Sequence, residues 1–521
     1  MKIDKIINVD RLTTALAIIL LLIPAVYYYY LIDVLEGDPA IYLSFAKHFF
    51  EQPFAFGAPA NVSFGATSPF YLFILSAVYE WFGVPGFLFP LKILNLLFFY
   101  LGTLFVFLSI MRLKTYDVID SLTRRNTLLY FFISVSVCIT CFCVIDNSAR
   151  LYESSFVFLY ASLLMFLFIT RALTLFFVAA SFSYLVRPEL LALQGLFFLA
   201  FAFKEKRTVR QFAIVFALFI LSFIPLIMYH IYMFAWTGDW LPSSLVSRAT
   251  RNSDVSHLRS IYYQVKTAPQ YLFFLCIPLL FYMNKQKISL SKVSRRQLDM
   301  PFCFFIISAI IFVIFTFIWI GSKSFSSRYT EFSIPILCAC SIALLAKPLS
   351  TLKNSTILTI FMIAPVLASS YKILVPEYNI NSTIANRLAP ELAAFLNVEM
   401  EKEEKFAIYE IQTQYFIDRH VVSLDARVGH EMTDFALGQQ SLLSALSEHR
   451  VNFISVDPNV SPTIRMDPFY KFLLKTASKS KLNETTCYNT KENNVCVSLI
   501  KINDNTSFSM WKYIFKLQHL A

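Results

Sequence analysis

From Leu12 to Ile32 the chain runs for about twenty residues without a charge, and runs of this kind recur through its first 375 residues. At 1.5 Å per residue such a run crosses roughly 30 Å of hydrocarbon, where no water can satisfy a backbone N–H or C=O. A helix pairs those groups within one segment, so a chain built from such runs is a helical bundle in a membrane. Composition agrees: 57% of the residues are hydrophobic, where soluble domains hold about 45–50%.

We read the spans as Leu12–Ile32, Phe87–Met111, Thr127–Ile145, Ser154–Thr170, Ala172–Val186, Leu190–Phe203, Gln211–Phe234, Ala268–Met283, Met300–Ile320, Phe332–Ala346 and Ile357–Leu374. That makes about eleven transmembrane helices. The net charge of +11 is not spread as a nucleic-acid surface would be; it gathers between the apolar runs. Lys2, Lys5 and Arg11 precede the first span, Arg112 to Arg125 follow the second, Lys204 to Arg210 the sixth, and Lys285 to Arg296 the eighth. All four clusters fall on one side, which puts the N-terminus in the cytoplasm. Keeping that parity requires two short spans meeting at Arg171. It also requires that Ser68–Phe82, apolar but short, lie at the outer interface as a helix entered at Pro69. No small-residue cleavage site follows the first span, so it reads as an anchor.

With this topology the polar features that look chemical share the outer side: the loop holding Asp38, the Asp146–Glu153 turn, Arg187-Pro188-Glu189, the Trp236–Lys266 loop and Gly321–Glu331. The loop after the first span is long and carries Phe45, Phe49, Phe50, Phe54, Phe56 and Phe64, a content expected of a loop packed onto something. A carboxylate held there, as Asp38 is, can take a proton from a hydroxyl as it attacks carbon. Arg187 and Glu189 read either as a snorkelling interfacial pair or as ionisable groups facing a cavity, and Arg150 with Glu153 as a second such pair. Arg248, Arg251, Lys323 and Arg328 complete a cationic rim suited to a phosphate. His230, in an apolar span, reads as a satisfied core histidine.

From Pro376 onward charges rise and long apolar runs stop, so residues 1–375 read as a transmembrane domain and 376–521 as a small outer α/β domain. Ile380–Lys402 has helical spacing; Phe406–Tyr409, Val421–Leu424, Val451–Val456 and Cys496–Ile502 read as strands and Gln440–His449 as a helix between them. Seven of the nine cysteines lie in apolar spans, where Cys138, Cys141 and Cys143 read as small buried residues. Cys487 and Cys496 flank a polar turn; in an oxidising compartment two strands closed by it would bring them within disulfide reach.

In order and placement these stretches resemble the GT-C superfamily of polyprenyl-phosphate-sugar glycosyltransferases, and within it the branch of mycobacterial terminal arabinofuranosyltransferases. Gly37-Asp38-Pro39-Ala40-Ile41-Tyr42 is similar to that family's Asp-Asp-Ala-Tyr-Ile loop, and Gly65-Ala66-Thr67-Ser68-Pro69 to its Gly-Tyr-Thr-Ser-Pro. Leu151-Tyr152-Glu153 resembles its Gly-Met-Glu turn, Arg187-Pro188-Glu189 its Arg-Pro-Asp, Gly238 to Ser244 its Gly-x-x-x-Pro-Asn-Thr, and Arg328-Tyr329 with Pro335 its Arg-Tyr motif. The run Tyr415 to Asp425 is similar to its Tyr-Phe-Ser-Asp-Arg stretch. The resemblance implies inverting transfer of arabinofuranose or another pentose or hexose from a polyprenyl-phosphate donor to a glycan, lipid or protein of the cell envelope. It implies Asp38 as general base, with Glu153, Arg187, Glu189, Arg248, Arg328, Thr67 and Ser68 lining the substrate site on the periplasmic side of the inner membrane. The chain departs from the pattern at Gly37, Ser44 and Ser243-Ser244.

No His/Cys metal spacing, phosphate-binding glycine loop or nucleophile elbow is present, so no cofactor is indicated and a divalent metal stays open. Nucleic acid is not an expected partner; the bilayer is. The competing function is a lipid-linked sugar flippase or other transporter, which needs ionisable residues within its spans; apart from His230 the spans read as nearly uncharged. A membrane anchor without activity would not need outer loops bearing so many ionisable groups.

Overall fold

The computed structural model describes residues 2–30, 37–54, 66–83, 88–113, 125–204, 208–238 and 240, then 307–311, 331–339, 342, 356, 359 and 363, and further on 400–401, 404–408, 421–424, 435, 440–456, 462–477, 485–489, 494–499 and 513–520. Three stretches among them are helical, long and apolar enough to cross a membrane. These are the Leu12–Tyr29 part of α1 (Lys2–Tyr30), α4 (Leu88–Leu113), and Val209–Thr237, formed by α11 (Val209–Leu221) and α12 (Ile224–Thr237). Val209, Ile214, Ile220, Ile227, Met228 and Ile231 on the last of these are exposed, as side chains facing lipid are. Most of the four expected spans after residue 250 lie outside the described residues, as does the helix expected over 380–402.

Two expected spans are not continuous helices. In place of a single helix Thr127–Ile145 the chain forms α5 (Arg125–Thr140) and α6 (Phe142–Ala149), bent by 65°. At the bend Thr140 Oγ1 donates to the Ser136 carbonyl at 2.7 Å and Cys141 Sγ to the Val137 carbonyl at 3.6 Å, bonds that occupy the last carbonyls of α5. Ala172–Val186 divides into α8 (Leu173–Ala180) and α9 (Ser183–Val186) around a turn at Ser181 and Phe182. The break expected at Arg171 is present. α7 (Ser154–Ile169) stops there with Arg171 at φ 59°, and the N–H groups of Arg171 and Ala172 return to the carbonyls of Phe168 and Leu167, each at 3.1 Å. This is a Schellman stop, closing orphan carbonyls with a left-handed residue. α10 (Leu190–Lys204) then follows.

α3 (Pro69–Phe82) starts at Pro69 as expected and buries Tyr71, Leu72 and Leu75 while leaving Trp81 and Phe82 exposed. The loop expected after the first span opens with a helix, α2 (Gly37–Ala46). Ala40 to Ala46 are all buried, so the loop is packed onto the bundle, as its aromatic content implied. α4 and α7 lie close because Gly102 has no side chain: a Cβ there would come within 2.5 Å of the Phe158 ring.

One hydrophobic core runs from Ala17 to Ile342 and a second from Ala407 to Leu517; the expected division near residue 375 lies outside the described residues. The second core lies on a six-stranded sheet of order β2-β1-β3-β6-β5-β4. β1 (Lys405–Ile408) pairs in parallel with β2 (Val421–Ser423) and β3 (Val451–Val456), the parallel element expected from alternating strands and helices. β4 (Thr485–Asn489) and β5 (Asn494–Leu499) form a hairpin in which Cys487 and Cys496 are directly paired and disulfide-bonded. β6 (Tyr513–Leu520) was not anticipated; it runs antiparallel between β3 and β5. α13 (Leu442–Glu448), α14 (Pro462–Met466) and α15 (Pro468–Ala477) complete this part, with Phe469, Tyr470 and Leu473 of α15 in its core.

Candidate active site: a buried ionic hub beneath the first outer loop

The bent α6 ends in a second Schellman stop. The N–H groups of Leu151 and Tyr152 return to the Ser148 and Asn147 carbonyls, each at 3.0 Å, and Leu151 sits at φ 69°. A non-glycine residue there costs about 1–2 kcal/mol, which burial of the leucine side chain offsets. The turn brings Glu153 to the start of α7.

Glu153 meets Arg187, the extended residue that caps α9 before Pro188. Arg187 Nη1 lies 3.3 Å from Glu153 Oε1 and Nε 3.2 Å from Glu189 Oε2; the three side chains are 2%, 1% and 8% exposed. The Nε contact is an ion pair without hydrogen-bond geometry. Burial at this level rules out the snorkelling reading of Arg187. The expected pairing of Arg150 with Glu153 is also corrected. Arg150 Nε binds Asp146 Oδ1 at 3.0 Å, one helical turn back, and Tyr27 of α1 donates its hydroxyl to the same oxygen at 2.6 Å.

The segment between α1 and α3 is tied to this hub by hydrogen bonds. Ser68 Oγ donates to the carbonyl of Val186, the residue before Arg187, at 2.6 Å. Thr67 Oγ1 lies 3.0 Å from the Tyr42 hydroxyl, and the Tyr42 ring meets Tyr71 edge-on at 5.7 Å. Asn95 Nδ2 donates to the Tyr71 oxygen at 2.9 Å, leaving the tyrosine proton for the Leu151 carbonyl at 3.2 Å. Thr67, Ser68, Glu153, Arg187 and Glu189 therefore come together. Asp38 lies in the first turn of α2, one helical turn before Tyr42 on the same face; its side chain is outside the described residues, as are Arg248 and Arg328.

Three buried polar residues were not singled out from the sequence. Glu331, noted only as the end of an outer loop, is fully buried, and its Oε1 accepts from Asn147 Nδ2 at 2.6 Å. Burial pushes its carboxyl up to about 7; Ser154, Asn147 and Arg187 oppose the rise and Glu153 adds to it. Asn95 and Lys92 are buried in α4, so the expectation of nearly uncharged spans fails at Lys92. A lone asparagine and lysine in an apolar run were the available signals. His230 is satisfied but half-exposed. In the neutral ring Nδ1 donates to the Trp240 carbonyl and Nε2 accepts from Tyr184, both at 2.9 Å.

Beside the hub opens an apolar cleft of about 520 Å³, walled by Phe45, Phe49, Phe54, Phe70, Tyr229 and Tyr232. Ala66, Pro69 and Leu185 also line it, and these flank Thr67, Ser68 and Val186. Among the described residues no group of three or more His, Cys, Asp or Glu side chains is arranged to hold a metal ion. Cys138, Cys141, Cys143 and Cys338 are buried free thiols.

No family model matches the chain, and none of the curated proteins does. Solved structures do. The crystal structure of ArnT from Cupriavidus metallidurans bound to undecaprenyl phosphate is 12% identical with a TM-score of 0.57, over 96% of this chain and 98% of that one. The same protein in its apo state is 13% identical with a TM-score of 0.52, over the same shares, 96% and 98%. These neighbours do not support the narrower likeness to the arabinofuranosyltransferase branch. What the likeness shows is the fold: the chain has the polytopic helical membrane architecture of ArnT.

Proposed function

We propose that this protein is a membrane glycosyltransferase that moves a sugar from a polyprenyl-phosphate donor to an acceptor of the cell envelope, with inversion. The observation that carries the reading is the convergence of Thr67, Ser68, Glu153, Arg187 and Glu189 beneath α2, the helix whose first turn holds Asp38. The fold supports it, since ArnT, a GT-C glycosyltransferase, shares this architecture and has been seen holding undecaprenyl phosphate. So does the apolar cleft against the hub, whose walls suit an isoprenoid chain.

In the proposed reaction an acceptor hydroxyl attacks the anomeric carbon from the face opposite the phosphate. The carbon–oxygen bond to the carrier breaks, the hydroxyl proton passes to the Asp38 carboxylate, and polyprenyl phosphate leaves with the electron pair. A departing phosphate needs cationic donors; we assign that task to Arg248 and Arg328. Arg187 is committed to Glu153 and Glu189; we assign it, with both carboxylates, to shaping the donor pocket under Thr67 and Ser68. The sugar, whether arabinofuranose or another pentose or hexose, and the glycan, lipid or protein acceptor are left for experiment to identify.

We place the protein in the inner membrane as a multi-pass chain, N-terminus inside, with residues 376–521 and the site outside. The basic clusters support this, and so does the Cys487–Cys496 disulfide, a bond that persists in oxidising compartments. Lys92, buried in α4, favours the transporter reading to the extent that ionisable groups within spans mark pathways. Membranes holding wild-type or Asp38→Asn protein, offered labelled polyprenyl-phosphate arabinose and mannose with envelope extract, separate the readings. The transferase reading expects wild-type transfer that falls about 10²–10⁴-fold in Asp38→Asn. Undiminished transfer removes Asp38 from the mechanism. Carrier translocation without transfer supports the transporter.

A further inference from the structure

The hub is unbalanced. Among the described residues, three buried carboxylates, Glu153, Glu189 and Glu331, surround one guanidinium, while Asp146 and Arg150 neutralise one another. Glu331 is the most enclosed of the three. Its Oε1 is taken by Asn147, but its Oε2 is buried with no hydrogen-bond partner, and so is Ser154 Oγ, which lies within reach of this carboxyl. The groups facing it are the neutral Asn147 and Cys141 from the α5–α6 bend and Ser154 at the start of α7, the like-charged Glu153 beside that serine, and the oppositely charged Arg187. The Ser154 hydroxyl has a proton of its own to donate to this carboxyl and so favours the charged form, but a third charge buried beside Glu153 adds a repulsion that the one described guanidinium, already shared between Glu153 and Glu189, does not cancel.

We propose that Glu331 is a positioning residue of the transfer site that works in its protonated form, bridging the Asn147 turn to the start of α7 and leaving Arg187 committed to Glu153 and Glu189. This rests on the transferase reading for its role, though not for its protonation. Ionised, Glu331 competes for Arg187. The backbone that Ser68 grips at Val186 shifts with that arginine, and through Thr67 and Tyr42 so does α2. Glu331 touches no reacting atom in this scheme; it holds the floor on which α2 rests.

The direction of the pH effect follows from the burial that raises this carboxyl from an ordinary 4.5 to about 7. A carboxyl raised in the folded state contributes stability below its unfolded value, and that contribution is lost as pH climbs to the folded value. Glu331→Gln, a neutral isostere, is immune to this loss. The test is thermal melting of the purified full chain in detergent, wild type against Glu331→Gln, between pH 5 and 8.5, with transfer measured in parallel. Expected is a melting temperature for Glu331→Gln that gains on wild type as pH rises from 5 towards about 7 and levels off above it. Expected also is a wild-type kcat that falls about tenfold per unit above that point, with the variant flat. A melting gap independent of pH, or a Glu331→Gln protein that does not fold at any pH, overturns the protonated state. A pH-dependent gap with identical transfer profiles overturns the positioning role. Absence of wild-type transfer overturns the transferase reading and that role with it, while the melting comparison still decides the protonation.

Discussion

Replacing Arg187 by Gln tests the hub most directly. The guanidinium is 2% exposed and lies 3.3 Å and 3.2 Å from two carboxylates that are themselves 1% and 8% exposed. Removing it strands both. Breaking a buried pair by deleting one partner costs about 3–5 kcal/mol, chiefly because the remaining charge stays desolvated. Part of that cost returns if a stranded carboxylate is neutralised at the same time. Glu153→Gln combined with Arg187→Gln is therefore expected to be less destabilised than the sum of the single variants, by about 1–3 kcal/mol of coupling. Arg187→Lys keeps a charge but not the planar fork that reaches Glu153 and Glu189 together, so it should fall between wild type and Arg187→Gln. The assay is SDS-driven unfolding of the four cycle members in mixed micelles, followed by tryptophan fluorescence. Single-variant losses that add within about 0.5 kcal/mol would show that the two groups act independently. The hub would then not organise the site.

Two further perturbations follow from the packing. Gly102→Ala places a methyl 2.5 Å from Phe158 Cδ1 and 3.1 Å from the Leu159 backbone, so α4 and α7 must part. The same unfolding assay should show a loss of about 1–3 kcal/mol, and an unchanged midpoint would mean the helices can separate without cost. Cys487→Ser with Cys496→Ser opens a short loop in the β4–β5 hairpin. It should destabilise the C-terminal sheet by about 2–3 kcal/mol, read as faster proteolysis within residues 400–521; unaltered digestion would refute it.

Local regularities carried most of the fold. A run such as Leu88 to Leu113 has no choice but helix in hydrocarbon, because its backbone groups can be paired only within the segment. Short strand-like runs likewise marked β1, β2 and β3, and alternation marked β5. β6 escaped notice because Ile514 and Phe515 are both buried, so alternation begins only after them. The bend at Cys141 is not legible in the sequence because apolarity reports that a segment is buried, not where its helical ladder breaks.

The site divides in the same way. Asp38, Thr67, Ser68, Glu153, Arg187 and Glu189 stand out in the sequence as polar residues beside apolar runs, and such residues are legible one at a time. Which of them meet is not. Arg150 chose Asp146 four residues away, leaving Glu153 for Arg187, and Ser68 found a carbonyl 118 residues downstream. Glu331 reached Asn147 across 184 residues. By itself the sequence determined the helices, the strands and the stock of ionisable groups, because hydrocarbon and the backbone's need for hydrogen bonds act within each segment. Only the tertiary structure decided the partners, since an ion pair or a shared proton depends on which helix faces are brought within about 3 Å.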